Sequence, residues 1–226
     1  MKKAWFVMAM AGLLLSCSKT GSSSDSSLAR IAGQELLMEG ARIDRSPGQE
    51  FAQQMHDRNE NLGKMEKDIL QQSIPTEAEE GMELAVVEPF RITSLSYVGE
   101  TNVSVEMEAL IEIAEEGVSQ REVRSPRPGT AGPYVAVGYD DGGEACVPVF
   151  VKFRGVEGNK GSQYDEHFTK GDKFRLVANF KITPADAKRW ERVKAIGLTF
   201  IGSPDFNGPM EEMSAERSEY DKKYGR

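Results

Sequence analysis

The feature that most constrains the fold of this 226-residue chain is an alternation of apolar and polar residues over positions 103–113. The apolar series comprises Val103, Val105, Met107, Ala109, Ile111 and Ile113. The positions between them are polar except for Leu110. Because successive side chains of a β-strand point to opposite faces of a sheet, the pattern predicts a strand with one face in a core and one in water.

Shorter segments around this strand carry the same signals. Alternation predicts strands over 90–98, with a bulge near Ser94, and over 134–139, 145–153, 173–181 and 193–201. Asp140-Asp141-Gly142-Gly143 predicts a hairpin turn, and Pro148 predicts an edge strand or a bulge because proline cannot donate to a ladder. Thr183 and Pro184 predict the N-cap and first residue of a short helix.

Together these segments predict a mainly β fold, an antiparallel sandwich over residues 84–202. The order of strand, short helix and strand between Phe174 and Ile201 resembles the end of the immunoglobulin-like sandwiches found in many extracytoplasmic bacterial lipoproteins. The resemblance implies an immunoglobulin-like fold, although the chain lacks the Cys…Trp…Cys pattern of antibody domains. Residues 76–83 are acidic and predict a solvated linker, and residues 203–226 predict a charged tail or frayed helix.

An amphipathic helix over residues 46–75 is predicted to precede the sandwich. Ser46 and Pro47 supply a helix start, and Pro75 ends it. The apolar stripe of this helix, with near-heptad spacing, is Phe51, Met55, Leu62, Met65 and Ile69. Three interpretations remain open: the stripe packs on the sandwich, it forms a coiled coil with a second copy or a protein partner, or the helix forms only on binding.

The amino-terminal residues have the layout of a secretory signal. Lys2 and Lys3 precede an apolar run over residues 4–15, which is shorter than the roughly 20 residues of a membrane-spanning helix. Leu14-Leu15-Ser16-Cys17 resembles the lipobox of bacterial lipoproteins. The resemblance implies a signal peptide over 1–16, which is cleaved before Cys17, and acylation of that cysteine. Incorporation of labelled palmitate would detect this acylation. An ordinary signal peptide and an uncleaved anchor are the alternatives.

This interpretation places the protein in the bacterial cell envelope, lipid-anchored to the outer membrane or cell surface. Residues 17–45 would then form the anchor and a flexible tether, since 18–27 contain no apolar residue to bury. A lipid on Cys17 would leave Cys146 without a disulfide partner, and its apolar neighbours predict a buried thiol.

Charge excludes one class of partner. The formal net charge is −8 at pH 7, and a signal peptide would remove two of the positive charges. A chain this acidic is not expected to bind nucleic acid, and lipid alone should hold it to the membrane. Within the chain, a basic loop carries Arg121, Arg124 and Arg127. This loop is either a solvated segment or a site for a partner or an anionic ligand.

No catalytic, metal or cofactor motif stands out. The only histidines, His56 and His167, have no second histidine at metal-binding spacing. Asp165 and Glu166 beside His167 form a candidate acid–base cluster. The sequence therefore predicts a non-enzymatic binding or assembly module without a cofactor. An extracytoplasmic enzyme or enzyme accessory acting on glycans or peptides is the alternative, and a coiled-coil spacer is a third possibility.

Overall fold

A computed structural model describes residues 27–33, 49–70, 72–98, 102–116, 118–119, 134–157 and 167–224. The helices in this part of the chain are α1 (Ser27–Ala32), α2 (Gln49–Ile69), α3 (Ala187–Arg192) and α4 (Pro204–Tyr224). The strands are β1 (Ser73–Ile74), β2 (Thr76–Ala78), β3 (Leu84–Val98), β4 (Asn102–Ile113), β5 (Val118–Ser119), β6 (Tyr134–Tyr139), β7 (Ala145–Val149), β8 (Val151–Glu157), β9 (His167–Phe168), β10 (Lys173–Ile182) and β11 (Ala195–Phe200).

The strands form two main sheets, so the predicted mainly β fold is confirmed. The first sheet has the order β1-β3-β4-β10-β8, and every neighbouring pair in it is antiparallel. The second sheet has the order β2-β11-β6-β7, with β2 and β11 parallel and the other pairs antiparallel. A separate two-stranded sheet joins β5 to β9.

The alternation in β4 is confirmed by burial. Every member of the apolar series from Val103 to Ile113 is buried, whereas Glu106, Glu108 and Glu112 remain partly accessible. The predicted bulge in β3 is also present, because the register of β3 against β4 shifts between Ile92 and Ser94. This alternation orients the long β3–β4 hairpin with its apolar face toward the core.

Both sheets contribute to one continuous hydrophobic cluster. Phe90, Met107 and Phe174 of the first sheet and Val147 and Leu198 of the second belong to it, and all five are buried. Burying a side chain of this size stabilises the fold by roughly 1.5–3 kcal/mol. The cluster is therefore the main reason why the two sheets stay together.

The turn between β6 and β7 forms as predicted. The Asp140 Oδ1 atom accepts hydrogen bonds from the backbone N–H groups of Gly142 and Glu144, at 3.0 and 2.9 Å. Gly143 has a φ of 77°, a conformation that glycine adopts without a steric penalty. Pro148 lies in β7 at the edge of the second sheet, as its missing donor requires.

The acidic segment 76–83 is not simply a solvated linker, since its first residues form β2 at the edge of the second sheet. The side-chain hydroxyl of Thr199 donates a hydrogen bond to Glu79, and Tyr134 Oη bonds Glu83 Oε2 at 3.0 Å. Local composition predicted a linker because it carries no information about partners that lie more than fifty positions away in the chain.

Residues before the sheets also join the core. In α1, which lies within the range 17–45 predicted to form the anchor and tether, Leu28 and Ile31 are buried, and the helix contacts α3. The structure has helix α2 within the predicted range 46–75, and its Leu62 and Ile69 belong to the same hydrophobic cluster. The far end of the chain packs too: in α4, predicted as a charged tail or frayed helix, Phe206 and Met213 are buried.

The short helix after β10 begins later than the sequence predicted. Helix α3 starts at Ala187, with Asp186 rather than Thr183 at the N-cap position and without a side-chain cap. Instead, the Asp186 Oδ1 atom accepts a hydrogen bond from the Thr183 backbone N–H at 2.8 Å. The other carboxylate oxygen of Asp186 accepts a hydrogen bond from Arg217 of α4, so both oxygens have partners.

Candidate binding groove

One edge of β10 loses its neighbour partway along the strand. Pairing with β8 runs from Lys173 to Ala178, whereas pairing with β4 continues to Ile182. Within the described part of the chain, residues 179–182 therefore have a strand partner on one side only. The partner ends there because the residues before β8 cross to the second sheet, where β7 ends at Val149. We call the unpartnered side of residues 179–182 the open edge.

A groove of about 1100 Å³ lies between the open edge and α4. Phe180 and Lys181 of β10 line one side, and Met210, Ser214 and Ser218 of α4 line the other. The remaining residues that form it include Asn102, Pro148, Phe150, Asn179, Thr183, Trp190, Arg217, Tyr220, Asp221 and Lys222. This volume is slightly above the range of ligand-binding clefts, roughly 300–1,000 Å³.

Two stacked aromatic rings form part of the groove. Trp190 lies parallel to Phe180, with ring centroids 4.3 Å apart and an interplanar angle of 4°. Trp190 is 1% exposed, and neither its Nε1 donor nor the Thr183 Oγ1 has a hydrogen-bond partner among the described residues. Buried polar atoms are normally satisfied, so two such atoms in one groove point to a missing partner.

Exposed apolar side chains mark the same place. Phe150 is 49% exposed and Met210 is 38% exposed, and both line the groove. The other large hydrophobic side chains exposed in the described ranges are Val87 and Ile201, which do not line it. Adjacent exposed apolar groups with a polar surround are typical of interaction sites.

The cationic groups of the groove differ in their partners. Arg217 forms an ion pair with Asp186, which is 0% exposed. Burial raises the pKa of Asp186, and the Arg217 guanidinium and the Thr183 N–H act in the opposite direction. Lys181 and Lys222 have no carboxylate partner in the part of the chain that the structure describes. These two lysines are therefore available to a ligand.

Ion pairs hold α4 in place as the groove wall. Arg189 of α3 binds Glu212 and Glu216 of α4, at 2.8 and 2.7 Å, and donates to the Cys146 carbonyl at 3.3 Å. The hydrogen bond from Arg189 lowers the pKa of Glu216. Near the start of α4, Tyr139 Oη bonds Asp205 Oδ2 at 3.1 Å. The wall is thus tied to both the short helix and the second sheet.

Most site residues singled out from sequence fall elsewhere. Cys17 and the basic loop residues Arg121, Arg124 and Arg127 lie outside the described residues. The same is true of Asp165 and Glu166, while His167 lies in β9, paired with Ser119 of β5. The structure therefore leaves the lipidation site, the loop and the proposed acid–base cluster untested.

The prediction for Cys146 is confirmed, because this residue is a buried free thiol. Its Sγ donates to the Glu144 carbonyl at 3.4 Å, and burial raises its pKa. In the described ranges, no group of three or more His, Cys, Asp or Glu residues is placed to hold a metal ion. No helix among the described residues combines the length and apolar character needed to cross a membrane.

Sequence reasoning missed the groove because its parts come from distant segments. The strand end at Lys181, the turn at Phe150 and helix α4 meet only in the folded chain. One signal was available: Trp190 is the single tryptophan outside the predicted signal peptide, and it follows Thr183-Pro184 closely. Comparison of the chain with protein-family models, with curated proteins and with solved structures gave no match.

Proposed function

We propose that this protein is a lipid-anchored, extracytoplasmic binding module whose ligand site is the groove between the open edge and α4. The observation that carries the binding role is the coincidence, in one groove, of the unpartnered Trp190 Nε1 donor, the Thr183 hydroxyl and the exposed Phe150 ring. A polar atom buried without a partner costs about 1–3 kcal/mol, which a ligand that supplies an acceptor would recover.

We propose further that the two sheets form an immunoglobulin-like sandwich. The shared hydrophobic cluster supports this arrangement, and so does the succession of β10, α3 and β11, which matches the strand, helix and strand layout of the resemblance. In such folds the sheets act as a rigid support, and recognition is carried by segments at the ends and edges of strands. The groove has this position, at the end of β10.

The anchor is supported by Leu14-Leu15-Ser16-Cys17. Two or more acyl chains hold a protein stably at a membrane, whereas one chain binds only marginally. Labelled palmitate should be incorporated into the wild-type protein in cells and not into Cys17→Ala. Label retained by Cys17→Ala would contradict the lipid anchor at that residue.

Site-specific photo-crosslinking in intact cells tests the binding role. A benzophenone amino acid at Ser214, which is exposed and lines the groove, should give a discrete adduct. The same amino acid at Lys152, exposed on β8 outside the groove, is the matched control and should give none. Absence of an adduct at Ser214, or identical adducts at both positions, would contradict a ligand site in the groove.

A further inference from the structure

We propose that the groove binds an extended peptide segment rich in acidic and apolar residues, which adds as a strand to the open edge of β10. This inference rests on the proposed function and names the class of its ligand. The peptide would lie beside residues 179–182 of β10, in line with β8, whose pairing with β10 ends at Ala178. The juxtaposition that carries the proposal is an open strand edge beside two lysines that have no carboxylate partner among the described residues, and two exposed apolar side chains.

The backbone of the open edge requires a hydrogen-bonding partner. Residues 179–182 are held in extended conformation by β4 on one side, with Asn179 opposite Glu106 and Ile182 opposite Val103. A strand rises about 3.3 Å per residue, so four residues offer roughly 13 Å of edge. An exposed edge of this kind is a template for another strand, and peptide-binding domains use it for strand addition.

The walls of the groove suit the alternating side chains of such a strand. Phe150 comes from the turn before β8, and Met210 comes from α4, so apolar contacts are offered from two different elements. Asn102 and Asn179 also line the groove, and their side-chain amides can both donate and accept hydrogen bonds. A pure acyl chain would offer the Asn179 amide no hydrogen-bond partner, which is unfavourable.

The charges favour an acidic ligand over a basic one. Lys181 lies on the open edge itself, and Lys222 lines the groove from α4. Among the described lining residues, Asp221 supplies the one carboxylate. Arg217 is already paired with Asp186. The whole chain carries a formal charge of −8, so a cationic excess in one groove departs from the rest of the protein. Carboxylates of a peptide would complement these lysines.

The buried donor adds a directional requirement. Trp190 Nε1 can only donate a hydrogen bond, so its partner must be an acceptor such as a peptide carbonyl or a carboxylate. Trp190 also gives the experiment its signal. In a full chain carrying Trp5→Phe, Trp190 is the only tryptophan, and its fluorescence reports on the groove alone. Cys17→Ser in the same chain prevents lipidation.

The test is selection of a display library of random decapeptides on this full-length protein, followed by titration of synthetic winners. We expect winners rich in Asp or Glu alternating with apolar residues, which change Trp190 fluorescence on binding. Amide hydrogen exchange should slow in the complex at those residues of 179–181 whose N–H groups point to the open edge, since the other N–H groups point toward β4. Methylating the backbone nitrogens along one edge of a winning peptide should abolish binding, since strand addition needs those N–H groups.

Charge reversal supplies the matched controls. Lys181→Glu with Lys222→Glu should weaken binding roughly tenfold, because two exposed ion pairs with the peptide would be replaced by repulsion between like charges. Lys152→Glu makes the same chemical change on β8 outside the groove and should leave affinity within about twofold. Raising the salt concentration should weaken binding to the wild type and narrow the difference between these variants.

Three results would overturn the peptide inference. They are a library without enriched sequences, winners that bind without protecting residues 179–181, and binding of palmitate that changes Trp190 fluorescence when no peptide does. In each case an adduct at Ser214 in cells would still support a binding groove for another ligand. Loss of that adduct would instead contradict the proposed function itself, so the two failures are distinguishable.

Discussion

The two main sheets differ in what covers the face that points away from the shared core. On the first sheet this face carries charged residues of neighbouring strands: Arg154 Nη1 lies 2.8 Å from Glu108 Oε1, and Arg175 Nη1 lies 3.6 Å from Glu108 Oε2. On the second sheet the corresponding face carries Val135 and Val137, buried beneath Phe206 of α4. The second face of the first sheet thus carries partly exposed ion pairs beside the buried Leu110 and Val177, whereas the second sheet is buried on both faces.

The sequences of the central strands already encode this difference. Strand β4 alternates except at Leu110, whereas β6 reads Tyr-Val-Ala-Val-Gly-Tyr without a charged residue. Alternation is typical of a sheet with one wet face, and a continuous apolar run is typical of a strand buried on both faces. The run in β6 therefore requires a covering element, and α4 is that element. Four substitutions test this comparison.

The largest effect is expected from Phe206→Ala, which removes a fully buried ring of α4 that packs on Val135 and Val137 of the second sheet. Phe206 is 1% exposed and its ring meets Phe150 edge-on, with centroids 5.2 Å apart. Deleting a buried phenylalanine costs about 3–5 kcal/mol because apolar burial is lost and a cavity remains. Urea unfolding of the variant should show this loss. Met210→Ala, on the exposed side of α4, should change stability by less than about 0.5 kcal/mol. Equal losses in both variants would show that α4 does not cover the sheet.

Next in size is Arg217→Ala, which leaves the buried carboxylate of Asp186 without its counter-ion. Removing one partner of a buried pair costs about 3–5 kcal/mol. We expect the lower end, since Arg217 itself is 46% exposed and water can enter in its place. Thermal and urea unfolding at pH 7 would measure the change.

The loss caused by Arg217→Ala should depend on pH. Burial raises the pKa of Asp186 in the folded protein above its unfolded value. The folded state therefore holds the proton more tightly, so the free energy of unfolding is higher at low pH and falls as the pH rises through the folded-state pKa. Without Arg217 the pKa of Asp186 should rise further. The loss of stability of Arg217→Ala relative to wild type should therefore become smaller as the pH is lowered from neutrality to the ordinary carboxyl pKa of about 3.9. Asp186→Asn in the same background should remove this pH dependence. A deficit that is constant with pH would contradict the explanation.

A smaller loss is expected from Gly197→Ala on the covered face of the second sheet. An added Cβ would lie 2.6 Å from Tyr139 Cε2, which is too close, so the ring that bonds Asp205 must shift. Overpacking of this kind costs about 1–3 kcal/mol. Gly63→Ala in α2 meets nothing within 4 Å and should instead stabilise by about 0.5–1 kcal/mol. Melting temperatures should therefore move in opposite directions for the two variants.

The smallest effect is expected on the solvated face of the first sheet. Arg154→Ala removes an ion pair whose arginine is 60% exposed, and such pairs contribute about 0–1 kcal/mol. The difference from wild type should become smaller still in high salt, because exposed charges are screened. A loss as large as that of Phe206→Ala would show that the two faces do not differ as described.

Strand positions were the most predictable part of the fold. The series from Val103 to Ile113, the bulge before Ser94 and the edge position of Pro148 all follow from local rules of spacing and donor chemistry. The acidic edge strand β2 and helix α4 were not foreseen as parts of the fold. Their partners lie far along the chain: Thr76 pairs with Ile196, and Phe206 packs on Val137.

A signal for α4 was nevertheless present in the sequence. Ser203-Pro204 repeats the helix-start pattern of Ser46-Pro47, and Phe206 and Met213 are seven residues apart, which places them on one helical face. The abundance of charged residues in this segment concealed the narrow apolar stripe. The groove had no comparable local signal, because its lining is assembled from the end of a strand, a turn and a helix.

The sequence by itself determined which residues alternate, where strands turn, and that Cys146 sits among apolar neighbours. These properties depend on nearest neighbours along the chain and on side-chain periodicity. Only the tertiary structure decided that α4 covers the second sheet, that Asp186 turns toward Arg217, and that β10 extends beyond its partner β8. These outcomes depend on contacts between distant segments, whose geometry is fixed when both sheets close on one core.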